Sequence, residues 1–114
     1  MLFDGLFKRT KERVFDLEKR GYSLKNGCEL EALMLLYYPG KKDFKYFYSV
    51  GFPRGGSHND GVSITEDIPQ EYILQKEYGK IADMINSELH ITVVTAEEIS
   101  AVLESCIKGK RFFA

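Results

Sequence analysis

The sequence predicts an α+β fold, in which a mainly antiparallel sheet of three to five strands packs against two or three helices. The segment from Phe44 to Phe52 has alternating aromatic residues, which favour a strand. It follows a long apolar stretch from Cys28 to Tyr38, and a turn that begins at Pro39 and Gly40 separates the two. Apolar residues recur at helical spacing both before and after these segments. We therefore predict the element order α-β-β-β-(β)-α-β-α.

Length and composition indicate one domain that spans residues 1–114. The chain has 114 residues, of which 44% are hydrophobic and 29% are charged, and this composition excludes a disordered chain. The longest apolar run, from Ala32 to Tyr38, is much shorter than the roughly 20 residues of a membrane span. The N-terminus carries charges where a signal peptide has its apolar segment. We expect a cytoplasmic protein without membrane contact.

Charge and cysteine usage narrow the classes of function. The net charge is −1, which argues against nucleic acid as a partner. Residues 1–57 hold 11 basic and 7 acidic residues, a balance of +4, whereas residues 58–114 hold 5 and 10, a balance of −5. Cys28 and Cys106 form no CxxC pattern, so we predict reduced core thiols and no disulfide. No cofactor is predicted.

The first half is predicted to begin with a helix and to continue into a meander of strands. Apolar residues from Leu6 to Arg20 favour an amphipathic helix, and Gly21 suits its left-handed C-cap. The dipeptide Asn26-Gly27 is the best short signal for a hairpin turn. The segment 29–38 also has helix-forming residues, so a helix is an open alternative there. The alternating aromatics of the strand from Phe44 need a neighbour, which favours strand.

The second half is predicted to contain a loop, two helices and a short strand. Residues 51–61 are dense in turn formers and predict an exposed loop, and Val62 to Ile64 add a short strand. A helical stripe runs from about Asp67 to Ser87, with Thr65 and Asp67 as candidate caps and Pro69 in the first turn. Residues 90–94 predict a strand. The capping box from Thr95 to Glu98 opens a last helix that buries Ile99, Val102, Leu103 and Cys106 or Ile107.

The glycine-rich loop is the most site-like stretch of the sequence. Arg54 could bind an anion, and His58 and Asp60 could take part in proton transfer. The loop matches neither a P-loop nor a dinucleotide-binding fingerprint. A metal site would have to combine His58 and Asp60 with His90, which is a weak ligand set, so no metal is predicted. A small enzyme, or an anion- or nucleotide-binding domain, that uses the loop of residues 51–61 is an alternative.

Aromatic residues interleaved with lysines raise a second alternative, a nucleic-acid-binding domain. Such a domain would stack bases on Tyr46 and Tyr48 beside Lys41, Lys42 and Lys45. Alternate aromatics on paired strands are also typical of a sheet core. Together with the near-zero net charge, this favours the core interpretation.

The leading hypothesis is a small non-enzymatic module that binds another protein. The acidic second half predicts a charged, aromatic-containing surface that is complementary to a basic partner. The most specific form of the hypothesis is an inhibitor or immunity protein that neutralises a cognate basic toxin such as a nuclease. The predicted partner-binding residues are Arg54, His58, Asp60, Glu66, Asp67, Glu71, Tyr72, Glu77 and Tyr78.

Overall fold

A computed structural model describes residues 12–24, 27–51 and 62–108 of the chain. Within these ranges, four strands form an antiparallel sheet in the order β1-β2-β3-β4, and three helices follow. The α+β class is thus confirmed, although the order is β-β-β-β-α-α-α. The elements are β1 (Arg13–Asp16), β2 (Glu29–Tyr38), β3 (Asp43–Gly51), β4 (Val62–Asp67), α1 (Gln70–Leu74), α2 (Tyr78–Leu89) and α3 (Ala96–Lys108).

The two central strands form as predicted, and the helical alternative for residues 29–38 is wrong. Their side chains alternate between two faces of the sheet, as the period of a strand requires. On one face, Leu33, Leu35 and Tyr37 of β2 lie opposite Tyr48, Tyr46 and Phe44 of β3. All six are buried and belong to the hydrophobic core, which also contains residues of all three helices. Cross-strand packing therefore outweighs the helix propensity of β2.

The opposite face of the sheet lies outside this core. Val14 faces Leu36 there, and Met34 faces Phe47. Leu36 is buried without belonging to the core cluster, whereas Val14 is 50% exposed. The helices of the described chain therefore pack on one side of the sheet.

The predicted first helix is wrong for the part of it that the structure describes. Residues 13–24 run alongside β2 instead, where the Leu17 N–H donates to the Leu33 carbonyl at 3.0 Å and the Gly21 N–H donates to the Leu30 carbonyl at 2.9 Å. An unpaired edge of β2 offers this segment ladder hydrogen bonds, which override its local propensity. Gly21 has the predicted positive φ, 84°, but it lies within an extended segment and does not cap a helix. Residues 6–11 of the predicted helix lie outside the described residues.

The predicted reversal at Asn26-Gly27 is supported by its flanking residues. Ser23 pairs with Glu29, and the Leu24 N–H donates to the Cys28 carbonyl at 2.8 Å. Gly27 has φ 74°, a left-handed conformation that glycine adopts without steric cost. Lys25 and Asn26 lie outside the described residues.

The helix predicted from Asp67 to Ser87 is divided into α1 and α2, and its predicted caps belong to a strand. Thr65 and Asp67 lie in β4, because the Ile68 N–H donates to the Phe44 carbonyl at 3.1 Å and extends the ladder to that point. Pro69 precedes α1, as its fixed φ allows. Lys76, with φ 53°, separates the two helices.

The strand predicted at residues 90–94 does not form. His90 is the left-handed C-cap of α2, with φ 61°. The side chain of Asn86 takes the place of a neighbouring strand, since its amide donates to the Val94 carbonyl at 2.9 Å and its oxygen accepts from the Val94 N–H at 3.0 Å. Ile91 and Val94 are nevertheless buried, so both side chains belong to the hydrophobic core although they lie in a loop.

The last helix begins as predicted. The Glu98 N–H donates to Thr95 Oγ1 at 3.2 Å, and the Thr95 N–H donates to Glu98 Oε1 at 3.0 Å, which is a reciprocal capping box. Ile99, Leu103 and Cys106 are buried, whereas Ile107 is 48% exposed. Among the described residues, no helix is long and apolar enough to cross a bilayer.

Candidate functional site

An open cleft of about 430 Å³ lies between the core face of the sheet and the C-terminal end of α2. Leu24, Val50 and Ile64 form its apolar lining. Its polar lining includes Tyr48 of β3 and Glu88 in the last turn of α2. Apolar walls with a few convergent polar groups are the usual composition of a binding site.

Two carboxylates make this region electronegative. Burial is the largest cause that raises the pKa of the Tyr48 phenol, and the charges of Glu88 and Glu66 raise it further. The pKa of Tyr46 is raised by burial first, and further by Glu88, Glu66 and the Tyr48 phenol. Tyr48 donates to Glu88 Oε2 at 3.4 Å. Within the described residues, neither Glu66 nor Glu88 forms an ion pair, so their charge is available to an incoming cation.

The end of α2 adds to the negative potential of the cleft. A helix C-terminus carries the negative end of the helix dipole, and basic side chains in the last turn usually offset it. The last turn of α2 contains no basic residue and carries Glu88 instead. An ammonium or guanidinium group in the cleft would therefore meet the dipole and the carboxylate together, while its aliphatic stem would contact Val50 and Ile64.

Of the nine residues predicted to bind a partner, the six that the structure describes do not form one surface. Arg54, His58 and Asp60 lie outside the described residues. Glu66 and Asp67 are neighbours on β4, so their side chains point to opposite faces of the sheet. Asp67 is on the face opposite the core and is paired there with Lys45.

The other predicted residues lie along α1 and the start of α2. Glu71 is exposed on α1. The Lys80 ammonium lies 5.7 Å from the centroid of the Tyr72 ring, and it is 3.5 Å from Glu77 Oε2. Two of these predicted contacts are therefore already occupied by a lysine of the same chain.

Tyr78 opens α2 and connects it to α3. Its hydroxyl donates to Glu104, and burial together with this hydrogen bond raises the pKa of Tyr78 to about 12. A shallow depression beside it is lined by Tyr78, Ala96, Glu97, Ser100 and Ala101. Since α2 has 12 residues, Tyr78 lies about 16 Å along the helix from the cleft.

The structure weighs against base stacking on the sheet aromatics. Tyr46 and Tyr48 are 3% and 6% exposed, and their rings face the helices. Lys45 lies on the opposite face, where it pairs with Asp67. Lys41 and Lys42 lie in the turn that precedes β3. Lys45 and the two aromatic rings are therefore on different sides of the sheet, unlike the shared face of a nucleic-acid platform.

The two cysteines differ in burial, since Cys106 is buried as predicted and Cys28 is only partly buried. Cys28 and His90 both line the cleft, although the sequence separates them by most of the domain. Among the residues that the structure describes, no three His, Cys, Asp or Glu side chains are grouped so that they could hold a metal ion. Cys106 is buried, and burial raises the pKa of its thiol.

Glu66 is among the residues predicted from the sequence to bind a partner, whereas Glu88 and Tyr48 are not. Glu88 was assigned to no surface because the end of α2 could not be placed against β3 and β4 from local pattern alone. A signal was present in the lack of a basic residue in the last helical turn, which departs from the usual preference. Tyr48 was assigned to the core, and this assignment is correct for its ring.

Comparison with family models, curated proteins and solved structures finds no match to this chain.

Proposed function

We propose that the chain is a non-enzymatic protein-binding module that recognises a basic partner through the cleft between β3, β4 and α2. The observation that supports this function is the pair of carboxylates, Glu66 and Glu88, beside a cleft with apolar walls. They form no ion pair within the described part of the chain, in contrast to Asp67 and Glu77. A lysine or arginine of the partner would fill the position that intramolecular cations fill elsewhere on the surface.

The apolar walls and the openness of the cleft favour a protein over a small cation as the occupant. An exposed carboxylate contributes little affinity by itself, because water and salt screen it. A long basic side chain also buries its methylene groups against Val50 and Ile64, and its protein surroundings exclude water from the charge pair. The cleft is open, which suits a side chain presented by another surface.

The specific form that we propose is an inhibitor that neutralises a cognate basic toxin, such as a nuclease, in the cytoplasm. The acidic balance of residues 58–114 supports electrostatic attraction to such a partner. The two free cysteines are consistent with a reducing compartment. Binding over the active site of a basic enzyme would block access of its polyanionic substrate.

The test is to use the protein as bait in a lysate of its native host, to purify any basic protein retained, and to measure its affinity. We expect binding to weaken as salt is raised from about 50 to about 300 mM. Glu88→Gln should lower the affinity at least about tenfold, because it removes the charge and leaves the shape of the side chain.

The matched control is Glu71→Gln, which removes the same charge from an exposed position on α1. It should change the affinity by less than about threefold. Equal losses in the two variants would show general attraction to an acidic surface and would contradict recognition by the cleft. The absence of any basic protein with salt-sensitive binding would contradict the function itself.

A further inference from the structure

The face of the sheet opposite the core carries four neighbouring apolar side chains, which we call the outer patch. They are Val14, Met34, Leu36 and Phe47. The register places Val14 opposite Leu36 and Met34 opposite Phe47, so the patch crosses three strands. None of the four belongs to the hydrophobic core, yet Leu36 is only 6% exposed.

The burial of Leu36 indicates that atoms outside the sheet cover the outer patch. Side chains stand roughly perpendicular to a sheet, so neighbours in the same sheet shield their flanks and leave their tips open. The helices of the described chain pack on the other face, and residues 17–24 continue alongside β2. The structure contains a single chain, so the cover belongs to that chain and to residues outside the described ranges.

Two of the three longer segments outside these ranges are poorly placed to cover Leu36. Residues 52–61 begin at the end of β3, which is about 20 Å from Lys45, the residue opposite Leu36. Residues 109–114 follow α3, whose Cys106 is buried in the core, so they begin on the other face of the sheet.

The third segment, residues 1–11, joins the sheet beside the outer patch. It leads directly into Glu12 and β1, and side chains alternate along a strand, so Glu12 shares the face of Val14. The Tyr38 phenol, on the same face, donates to Glu12, and this hydrogen bond is the largest cause that raises the pKa of Tyr38. Eleven residues span about 16 Å even in a helix, which matches the width of about 14 Å from β1 to β4.

The charges of this face and of residues 1–11 are complementary. The outer patch is bordered by four carboxylates, those of Glu12, Asp16, Asp43 and Asp67. Lys45 and Arg20 pair with three of them, so the face keeps a balance of −2. Residues 1–11 carry three basic residues and one acidic residue, a balance of +2. Their apolar residues recur at helical spacing, and these are Leu2, Phe3, Leu6 and Phe7.

We propose that residues 1–11 bind the outer patch of the same chain, with their apolar side chains on Leu36 and its neighbours and their basic side chains toward the bordering carboxylates. The sheet is then covered on both faces, by three helices on one and by the N-terminal segment on the other. Removal of the patch from water stabilises this arrangement. The proposal does not depend on the proposed function, whose cleft is on the core face.

Oxidation of Met34 by hydrogen peroxide tests the cover in the full chain. Met34 belongs to the outer patch, whereas Met84 packs against the core and provides an internal reference. We expect Phe3→Ser combined with Phe7→Ser to raise the oxidation rate of Met34 at least about threefold, because an uncovered thioether reacts faster. The rate of Met84 should not change. Mass spectrometry of proteolytic peptides measures both rates.

The matched control is Phe112→Ser combined with Phe113→Ser, which removes the same two aromatic rings from the other end of the chain. It should leave the rate of Met34 unchanged, and a faster rate would identify residues 109–114 as the cover. Equal Met34 rates in the wild type and the Phe3/Phe7 variant would show that residues 1–11 do not bind the patch. A rate that falls as the wild type is concentrated from about 10 to about 500 µM would identify a second copy. Each of these three results would overturn the proposal.

An NMR measurement on the wild-type protein decides the question even if the double variant fails to fold, which faster oxidation of both methionines would reveal. We expect nuclear Overhauser contacts between the methyl groups of Leu36 and the ring protons of Phe3 or Phe7. Selective labelling of leucine methyl groups makes these contacts observable in the full chain. The absence of contacts from both phenylalanines would overturn the proposal.

Discussion

The hydroxyl of Tyr48 lies 3.4 Å from Oε2 of Glu88, so that β3 is linked to the last turn of α2 at the cleft. The contact joins a core residue to an exposed one, since Tyr48 is 6% exposed and Glu88 lies at the surface. It also brings a buried phenol under the influence of a carboxylate. The ionisation of the phenol therefore reports the charge of the cleft.

Glu88→Gln is expected to lower the pKa of Tyr48 and of Tyr46. The Glu88 carboxylate disfavours both phenolates, so its removal makes ionisation easier. Burial, the largest cause of both shifts, remains and should keep both pKa values above 10. Titration of the tyrosine ring carbons by NMR measures the change. Glu71→Gln is the control, and an equal decrease in that variant would show that Glu88 acts only through the net charge.

The free energy of unfolding is expected to fall as the pH rises above about 10. The pKa values of Tyr46, Tyr48 and Tyr78 are raised in the folded state. An unfolded tyrosine ionises at about 10, so the unfolded state loses protons first and gains stability relative to the fold. The contribution of Tyr78 is complete below pH 10 and is lost between about 10 and about 12.

Urea unfolding at pH 8, 9, 10 and 11 measures this dependence. Tyr78→Phe should cost about 1 kcal/mol at pH 8, because the hydrogen bond to Glu104 is lost. The difference from wild type should shrink at pH 11, since phenylalanine does not ionise. A difference that stays constant across this range would contradict the assignment of the raised pKa to Tyr78.

Thr95→Ala is expected to lower the free energy of unfolding by about 1 kcal/mol, with a range of about 0.5–2. The substitution removes the Oγ1 acceptor of the Glu98 N–H and leaves the first turn of α3 without its cap. Thermal or urea unfolding provides the measurement. Thr95→Ser should retain most of the stability, and Thr92→Ala, at an exposed position in the preceding loop, should have little effect. Equal effects at the two threonines would argue against the cap.

Leu35→Ala is expected to lower the free energy of unfolding by about 2–5 kcal/mol. Leu35 is 0% exposed on the core face of β2, so its truncation removes buried apolar surface and leaves a cavity. Leu74→Ala makes the same chemical change at a side chain that is 76% exposed, and it should alter stability by less than about 0.5 kcal/mol. Urea unfolding of both variants distinguishes the effect of burial from the effect of removing a leucine side chain. Similar losses of unfolding free energy in the two variants would place Leu35 outside the core.

Secondary structure was predicted correctly where the local sequence pattern and the tertiary environment favour the same conformation. The strand β3 was predicted because its aromatic residues alternate along a half-buried surface. The strand β2 was predicted because β3 needs a neighbour across the turn that begins at Pro39. The start of α3 was predicted because a capping box depends on residues within one turn. The turn at Gly27 was predicted because the Asn-Gly signal is also local to a few residues.

The wrong predictions concern segments whose conformation depends on hydrogen bonds to residues outside the segment itself. Leu17 and Gly21 follow an extended path because β2 offers them backbone hydrogen bonds. Asn86 caps Val94 through its side chain, and this replaces the ladder that a strand at residues 90–94 would have needed. For the candidate site, Glu66 was predicted from the acidic composition. The contribution of Glu88 depends on where α2 ends against β3, which no local pattern contains.

The order of the strands in the sheet has a consequence for how quickly the chain can fold. Each pair of adjacent strands is also consecutive in the sequence, and only residues 39–42 separate β2 from β3. Closing a short loop has a small entropic cost, and proteins dominated by local pairings fold faster than those that join distant strands. The longest ladder of the sheet therefore forms around its shortest connection. We expect the β2–β3 hairpin to set the rate, and the helices to dock on a ladder that is already in register.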